Sequence, residues 1–337
     1  MVFIIQITNQ KSLPGIVELN KDVEPFIIQG TAMRPELGFR DLFKPLQFIH
    51  FSDIHAIPAL WNRIVEYLNY YNNYISFGLH TGDFCGGSQA QYVDLYNTGI
   101  LSEKPILNCV GNHDTVSPDG TFKTDKKTVH GLLFNKIDNW NVEFMPGDFS
   151  MTYCKDFPES NIRLIVVNLY YDIEEQKVWI KEKLDDALIK GYHVVTASHT
   201  ATAGITKKEN VTFHSLTNYG SLEEYHKVFL EDLLIDFKKA GGVHVVNLAG
   251  HYHHDLFGHT DGGILNSPVE CATAWNGWCD SKRVENTKTY DCFNVVSIDT
   301  VSHLLKIVRV GDNADYFLRI KRTLCYDYIK NKLIFNG

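Results

Sequence analysis

No stretch of this sequence approaches the ~20 consecutive apolar residues that a membrane span requires, so no membrane partner is expected. The first ten residues, MVFIIQITNQ, lack a basic leading region and a cleavage site, and the expected compartment is therefore cytoplasmic. Cys-x-x-Cys pairs are also missing. The seven cysteines (Cys85, Cys109, Cys154, Cys271, Cys279, Cys292 and Cys325) are scattered and odd in number, which suits reduced thiols better than a disulfide framework. Internal repeats and low-complexity tracts are absent, and so is any excess of positive charge. A formal net charge of -8 provides no uniform field to hold a polyanion, although bound divalent cations would reverse the sign locally. Nucleic acid is therefore not an expected partner, a small substrate fits better than a long duplex, and the oligomeric state stays open.

What is present is an ordinary globular composition. The 337 residues are 44% hydrophobic and 12% aromatic, enough for a substantial core in one large domain or two smaller ones. From residue 46, short apolar runs alternate with helical patterns. LQFIHF reads as a strand, followed by a helix from Pro58 to about Asn72 with Leu60, Ile64, Val65 and Leu68 on one face; Pro58 suits a first helical turn. ISFGLHT, a helix from about Ser88 to Tyr96, and KPILNCVGN continue the rhythm. RLIVVNLY, a helix from about Glu174 to Lys190, YHVVTAS, a helix from about Leu222 to Lys239, and VHVVNLAG resume it. CFNVVSID and HLLKIVRV read as an antiparallel pair. This βαβ alternation implies parallel strands covered by helices, and two stacked sheets would accommodate the whole mixture.

The residues able to carry chemistry stand just after these strands. Asp53 and His55 in FSDIH are two apart, so an extended backbone sends both side chains to one side, where they can grip one ion. Asp83 in HTGDF follows the next strand, and its two oxygens could bridge two cations ~3.5–4 Å apart. Asn112 and His113 in GNHD, His199 in TASHT, and His251 and His253 in AGHYH follow three others. Strand C-terminal ends are where open α/β sheets place their sites. Taken singly, each residue has a plain structural reading as a turn carboxylate or a packed histidine. Together they form a nitrogen and oxygen donor set without thiolate, which suits Mn, Fe or Zn. His193 and His214 are alternatives to His199. Asp114 is read either as the residue that orients His113 or as a turn stabiliser, while His80, His254 and His259 are read as structural.

The ordered set D-x-H, GD, GNHD, a lone His and GHxH resembles the calcineurin-like metallophosphoesterase superfamily. The resemblance runs from about Leu46 to His253, and the strand pair near residues 290 to 310 is similar to that family's C-terminal sheet strands. It implies an α/β fold, an αββα sandwich of two mixed β-sheets flanked by helices. The resemblance places the phosphoesterase domain at 46–320, around a weakly periodic stretch at about 115–150 that reads as an insertion, with residues 1–45 as an N-terminal extension and 321–337 as a C-terminal tail. It further implies two divalent or trivalent metal ions, one held by Asp53, His55 and His253 and the other by Asn112, His199 and His251. Asp83 would bridge them, and His113 would contact phosphate and act as the general acid; Asp114 joins His113 as a catalytic candidate only on the reading in which it orients that ring. GDFCGG replaces the Asp-Arg-Gly continuation of protein serine/threonine phosphatases, which puts that activity in doubt. The expected activity is hydrolysis of a small phosphodiester or phosphomonoester by a metal-activated hydroxide. The alternatives are a nuclease of the same superfamily, or a non-catalytic metal-binding component of a phage or surface assembly. Trp275, Trp278 and Tyr290 are candidates for stacking a ring at the pocket mouth.

Overall fold

A computed structural model describes residues 44–84, 102–115, 125–134, 140–208, 227–253, 255–269, 289–311 and 323–336, together with Lys21, Glu24, Ile27, Arg283, Val284 and Thr287. The expected helix at Ser88 to Tyr96, the first part of the one expected from Leu222, and His214, His254, Trp275 and Trp278 lie outside the described residues.

Two mixed sheets form the centre. The first has seven strands in the order β15-β14-β13-β12-β1-β2-β3. Its strands β1 (Leu46–Phe51), β2 (Gly78–His80) and β3 (Ile106–Asn108) run parallel. β12 (Cys292–Asp299), β13 (Leu304–Gly311), β14 (Thr323–Asp327) and β15 (Lys332–Asn336) extend it by antiparallel pairing, β12 against β1 and each of the others against the strand before it. The segment expected as a tail at 321–337 thus supplies two strands of this sheet. The second sheet has eight strands in the order β4-β5-β6-β7-β9-β11-β10-β8. β6 (Ile162–Val166), β7 (His193–Ala197), β9 (Val243–Ala249) and β11 (Leu265–Pro268) are parallel. β4 (Glu143–Phe144), β5 (Tyr153–Phe157), β8 (Ile205–Lys208) and β10 (Gly258–Thr260) finish its edges. β4 lies within the stretch read as an insertion, so part of that stretch belongs to the sheet.

Alternation along the strands explains why the sheets stack. On β1, Phe51 meets Trp61 of helix α1 (Pro58–Tyr70) at 6.3 Å between rings. Phe48, of opposite parity, stacks on Phe77, which stacks on Phe157 at the end of β5 in the other sheet. On β6 and β7, Leu164, Val166, Val195 and Ala197 join this inter-sheet core, whereas Ile165 and Val194 face outward. The outward residues are covered by α4 (Ile173–Lys190) and α5 (Phe229–Lys239), through Trp179, Ile180, Leu184, Leu230, Leu234 and Phe237. Glu174 and Glu175 in the first turn of α4, and Lys190 in its last, complement the helix dipole, and Gly191 at φ 73° ends it. The order of layers is therefore helix, sheet, sheet, helix. Two shorter helices, α2 (Asn112–Thr115) and α3 (Lys126–Leu133), lie between β3 and β4. Among the described residues no helix is long and apolar enough to cross a membrane.

Candidate dinuclear metal site

The parallel strands of both sheets end at one edge, and the loops that leave them, with the short helix α2 after β3, carry the residues singled out by the motifs. Two clusters form there. Asp53, His55 and His253 bring one donor atom each within 4.8 Å of one another, and so do Asp83, His199 and His251. In the first, His253 Nε2 lies 3.3 Å from Asp53 Oδ1 and 3.4 Å from His55 Nε2. In the second, His199 Nε2 lies 3.3 Å from Asp83 Oδ2. Asn112 Oδ1 joins it at 2.9 Å from His199 Nε2 and 3.0 Å from His251 Nδ1. The ring of His113 meets that of His55 edge-on at 5.1 Å.

The donor set fits metal ions. Two nitrogen or oxygen ligands ~2.0–2.1 Å from one tetrahedral ion stand about 3.3–3.4 Å apart; His253 keeps that spacing to both Asp53 and His55, while His55 Nε2 lies 3.9 Å from Asp53 Oδ1. Converging acceptor atoms repel unless something positive lies among them. His199 donates its Nδ1–H to the Thr81 carbonyl at 2.7 Å, which turns Nε2 inward. No cysteine enters either cluster.

Electrostatics agree with an anionic centre framed by imidazoles. Burial pushes the Asp53 carboxyl up, but its bond to His253 and the charges of His253, His199 and His55 outweigh this and hold it well below the usual range. Burial likewise opposes ionisation of Asp83, and His199 again prevails. Burial alone would lower His199, yet Asp83 raises it to about 9, so a proton on Nε2 satisfies the acceptors that a cation would. Burial, aided by the nearby His199, drops His251 to about 4; burial also lowers His55, against the pull of Asp53. Both rings thus present lone pairs at neutral pH.

Backbone geometry supports the assembly. Asp53, His55, Asp83, His251 and His253 have φ of 55°, 47°, 55°, 70° and 56°. A left-handed conformation costs roughly 1–2 kcal/mol per residue and is best tolerated by short polar side chains. Such departures cluster at functional sites. The motifs also clasp one another: Asp53 Oδ2 accepts from His251 N at 3.0 Å, and Asp83 Oδ1 accepts from His113 N at 2.8 Å. Two motif glycines make this possible. A Cβ on Gly250 would collide with Ser52 Oγ and Asp53 Oδ2, and one on Gly111 with the backbone and carboxylate of Asp83.

Asp114 lies close to the site with both oxygens turned to backbone. Oδ2 accepts from Asp83 N (3.0 Å) and Gly111 N (2.8 Å), and Oδ1 from Phe84 N (3.0 Å), so it ties the second and third motif loops together. His193 is not brought to the site: it begins β7 at the opposite end, with Nδ1 2.7 Å from Tyr328 Oη. His259, on β10, packs on Tyr326. His80 is buried between Phe51 and Phe84, with no hydrogen-bond partner for either ring nitrogen among the described residues. Tyr290 takes the Arg63 guanidinium over its ring at 5.0 Å.

Two residues that motif reasoning passed over also shape the site. Thr81, between the strand and Gly82, offers the carbonyl that orients His199. Tyr252, between the two histidines of AGHYH, packs on His251 at 5.4 Å and accepts from Ala201 N at 3.2 Å. Its position between two candidate ligands was the available signal.

The profile of the calcineurin-like phosphoesterase family matches residues 46–255. No curated protein matches the sequence. Among solved structures, the chain is similar to a dimetal phosphatase from Danio rerio, 11% identical with a TM-score of 0.55, over 79% of this chain and 96% of that one. It is similar too to GAP50, the anchor in the inner membrane complex of Plasmodium (14% identical, TM-score 0.47, 80% and 86% covered). A third is a 5'-nucleotidase from Candida albicans (12% identical, TM-score 0.39, 85% and 52% covered). At 11% identity the likeness to the Danio rerio phosphatase speaks for the fold alone.

Proposed function

The chain belongs to the calcineurin-like phosphoesterases, metal-dependent hydrolases of phosphoesters, and from that premise we propose that it cleaves a small phosphodiester or phosphomonoester, with the diester preferred. The observation that carries this reading is the pair of donor clusters at one sheet edge, each with its atoms within 4.8 Å. In this reading Asp53, His55 and His253 hold one ion, Asn112, His199 and His251 the other, and Asp83 lies between them. Ions bound there, of Mn, Fe or Zn type, would supply a hydroxide at neutral pH and neutralise phosphoryl oxygens.

The protein's own groups do the rest. Asp53 and Asp83 set the negative charge that retains the cations, while neutral His55 and His251 add lone pairs without adding charge. His113, beside His55 but outside both clusters, is assigned the imidazole N–H that protonates the leaving oxygen. Asp114 holds the loops that present Asp83 and His113. GDFCGG carries no arginine to grip a phosphoprotein, and the net charge of -8 favours a small ester over a long nucleic acid. A cytoplasmic setting agrees with the thiols of Cys109 and Cys154, which are free and buried.

Hydrolysis of bis-p-nitrophenyl phosphate and p-nitrophenyl phosphate with added Mn, alongside Asp83→Asn, tests this. A Mn-dependent rate is expected on at least one ester, faster on the diester and lost in the variant. The absence of any Mn-dependent rate would sink the hydrolase assignment, and a much faster monoester rate would reverse the preference.

A further inference from the structure

On the face of the eight-stranded sheet that α5 covers lies a row of polar side chains belonging to neither donor cluster. Thr196 on β7, Asn247 on β9 and Asn266 on β11 stand in register across the three parallel strands. Thr196 shares the parity of Val194, which faces the helices, and not that of Val195 and Ala197, which face the inter-sheet core. All three polar residues are fully buried.

Asn247 sits in the middle and uses both ends of its amide. Its Oδ1 accepts from Thr196 Oγ1 at 2.9 Å and from Ser198 Oγ at 3.2 Å. Its Nδ2 donates to Asn266 Oδ1 at 2.9 Å and to the Thr200 carbonyl at 3.5 Å. The Ser198 hydroxyl shares its one proton between Asn247 Oδ1 and the Thr200 carbonyl, which lies 2.8 Å from Oγ. Asn266 carries the row onward, accepting from Thr202 N and donating to Thr202 Oγ1, each at 3.0 Å, and that hydroxyl donates to Glu231 of α5. The chain is therefore gripped at residues 196, 198, 200 and 202, at alternate positions on both sides of His199. Packing alone would be served by an apolar residue in a strand that reads VHVVNLA. A buried amide is costly unless its bonds are made, and here they converge on one segment.

We propose that Asn247 is a positioning residue of the metal centre: by clasping residues 198 and 200 it fixes the backbone that aims His199 Nε2 into the second donor cluster. This rests on the dinuclear reading above. Outer-shell partners of metal ligands commonly contribute ten- to a hundredfold in affinity.

The test is a calorimetric Mn titration of the chelator-stripped full chain, wild type against Asn247→Ala and Ser198→Ala, with a thermal melt of each. Wild type is expected to bind two Mn. Asn247→Ala should bind the first as wild type does and the second roughly ten- to a hundredfold more weakly, with hydrolysis restored by excess Mn. Ser198→Ala, which leaves the amide's bonds to Thr196 and Asn266, should show a smaller loss at the same site. Unchanged second-site affinity in Asn247→Ala overturns the proposal, as does an equal weakening of both sites. Should Asn247→Ala fail to fold, Ser198→Ala decides: selective weakening supports the proposal and unchanged affinities refute it. A wild type that binds fewer than two Mn refutes the dinuclear reading itself, whereas two Mn in wild type with unaffected variants refutes only the role of Asn247.

Discussion

At the scale of single residues, the site depends on which atom each side chain presents and on what holds it there. Asp53, Asp83 and the histidines could be singled out as candidate donors because D-x-H, GD, GNHD and GHxH keep fixed local spacing on loops that begin at strand ends. His199 was legible only through its place in the order, and its support came from residues with no motif: Thr81 by a backbone carbonyl, Asn247 by a side chain from another strand. Spacing along one strand carries no record of bonds made across three. Asp114 shows the same limit from the other side, since its place after His113 fitted either a histidine partner or a turn stabiliser, and only the structure shows its two oxygens securing the amides of Asp83, Phe84 and Gly111. His113 is separable from the ligands on this account. His113→Asn should retain both metals, by elemental analysis, while turnover drops by ~10²-fold or more, the usual effect of removing a proton donor. Loss of a metal in that variant would place His113 among the ligands instead.

Elements with strong periodicity were readable and those defined by pairing were not. β1, β6, β7, β9, β12 and β13 are apolar runs bounded by turn residues, and α1 and α4 show an apolar face at helical spacing. β14 and β15 fall in the segment read as a tail, and β4 has only two residues; pairing with β13, with each other and with β5 brings them into the sheets. Helices α4 and α5 cover the outer face of the second sheet. Leu184 on α4 is 2% exposed and packs in the outer core with Trp179, Ile180 and Val194. Its truncation to alanine is expected to cost ~2–5 kcal/mol in urea unfolding, with Mn affinity of the folded protein unchanged. A loss under ~1 kcal/mol would mean that α4 contributes little to this face.

Across the whole molecule, buried histidines tie stability to pH. Burial holds His50, His80 and His244 at about 3, with Arg309 adding to the effect on His50 and Lys238 to that on His244. Each folded value lies below the ordinary 6.5, so the unfolded chain takes up the proton first. Stability is therefore intact above about pH 6.5 and declines as pH falls toward 3, by up to ~1.4 kcal/mol per unit per group. His199 acts in the other direction, because its raised value of about 9 gives stability that is complete below 6.5 and lost as pH rises through 9. The urea midpoint of the metal-stripped chain should thus fall steadily from pH 6.5 to 4; a flat profile there would contradict the burial of neutral imidazoles.

The same convergence of two sheets on one edge underlies the central claim, that the loops of both halves build one centre around Asp83. Electron paramagnetic resonance of the Mn-loaded chain tests it most directly. Wild type should give the exchange-coupled signal of a Mn pair, and Asp83→Asn should lose the coupling. Uncoupled single-ion signals in wild type, at saturating Mn, would contradict a shared centre.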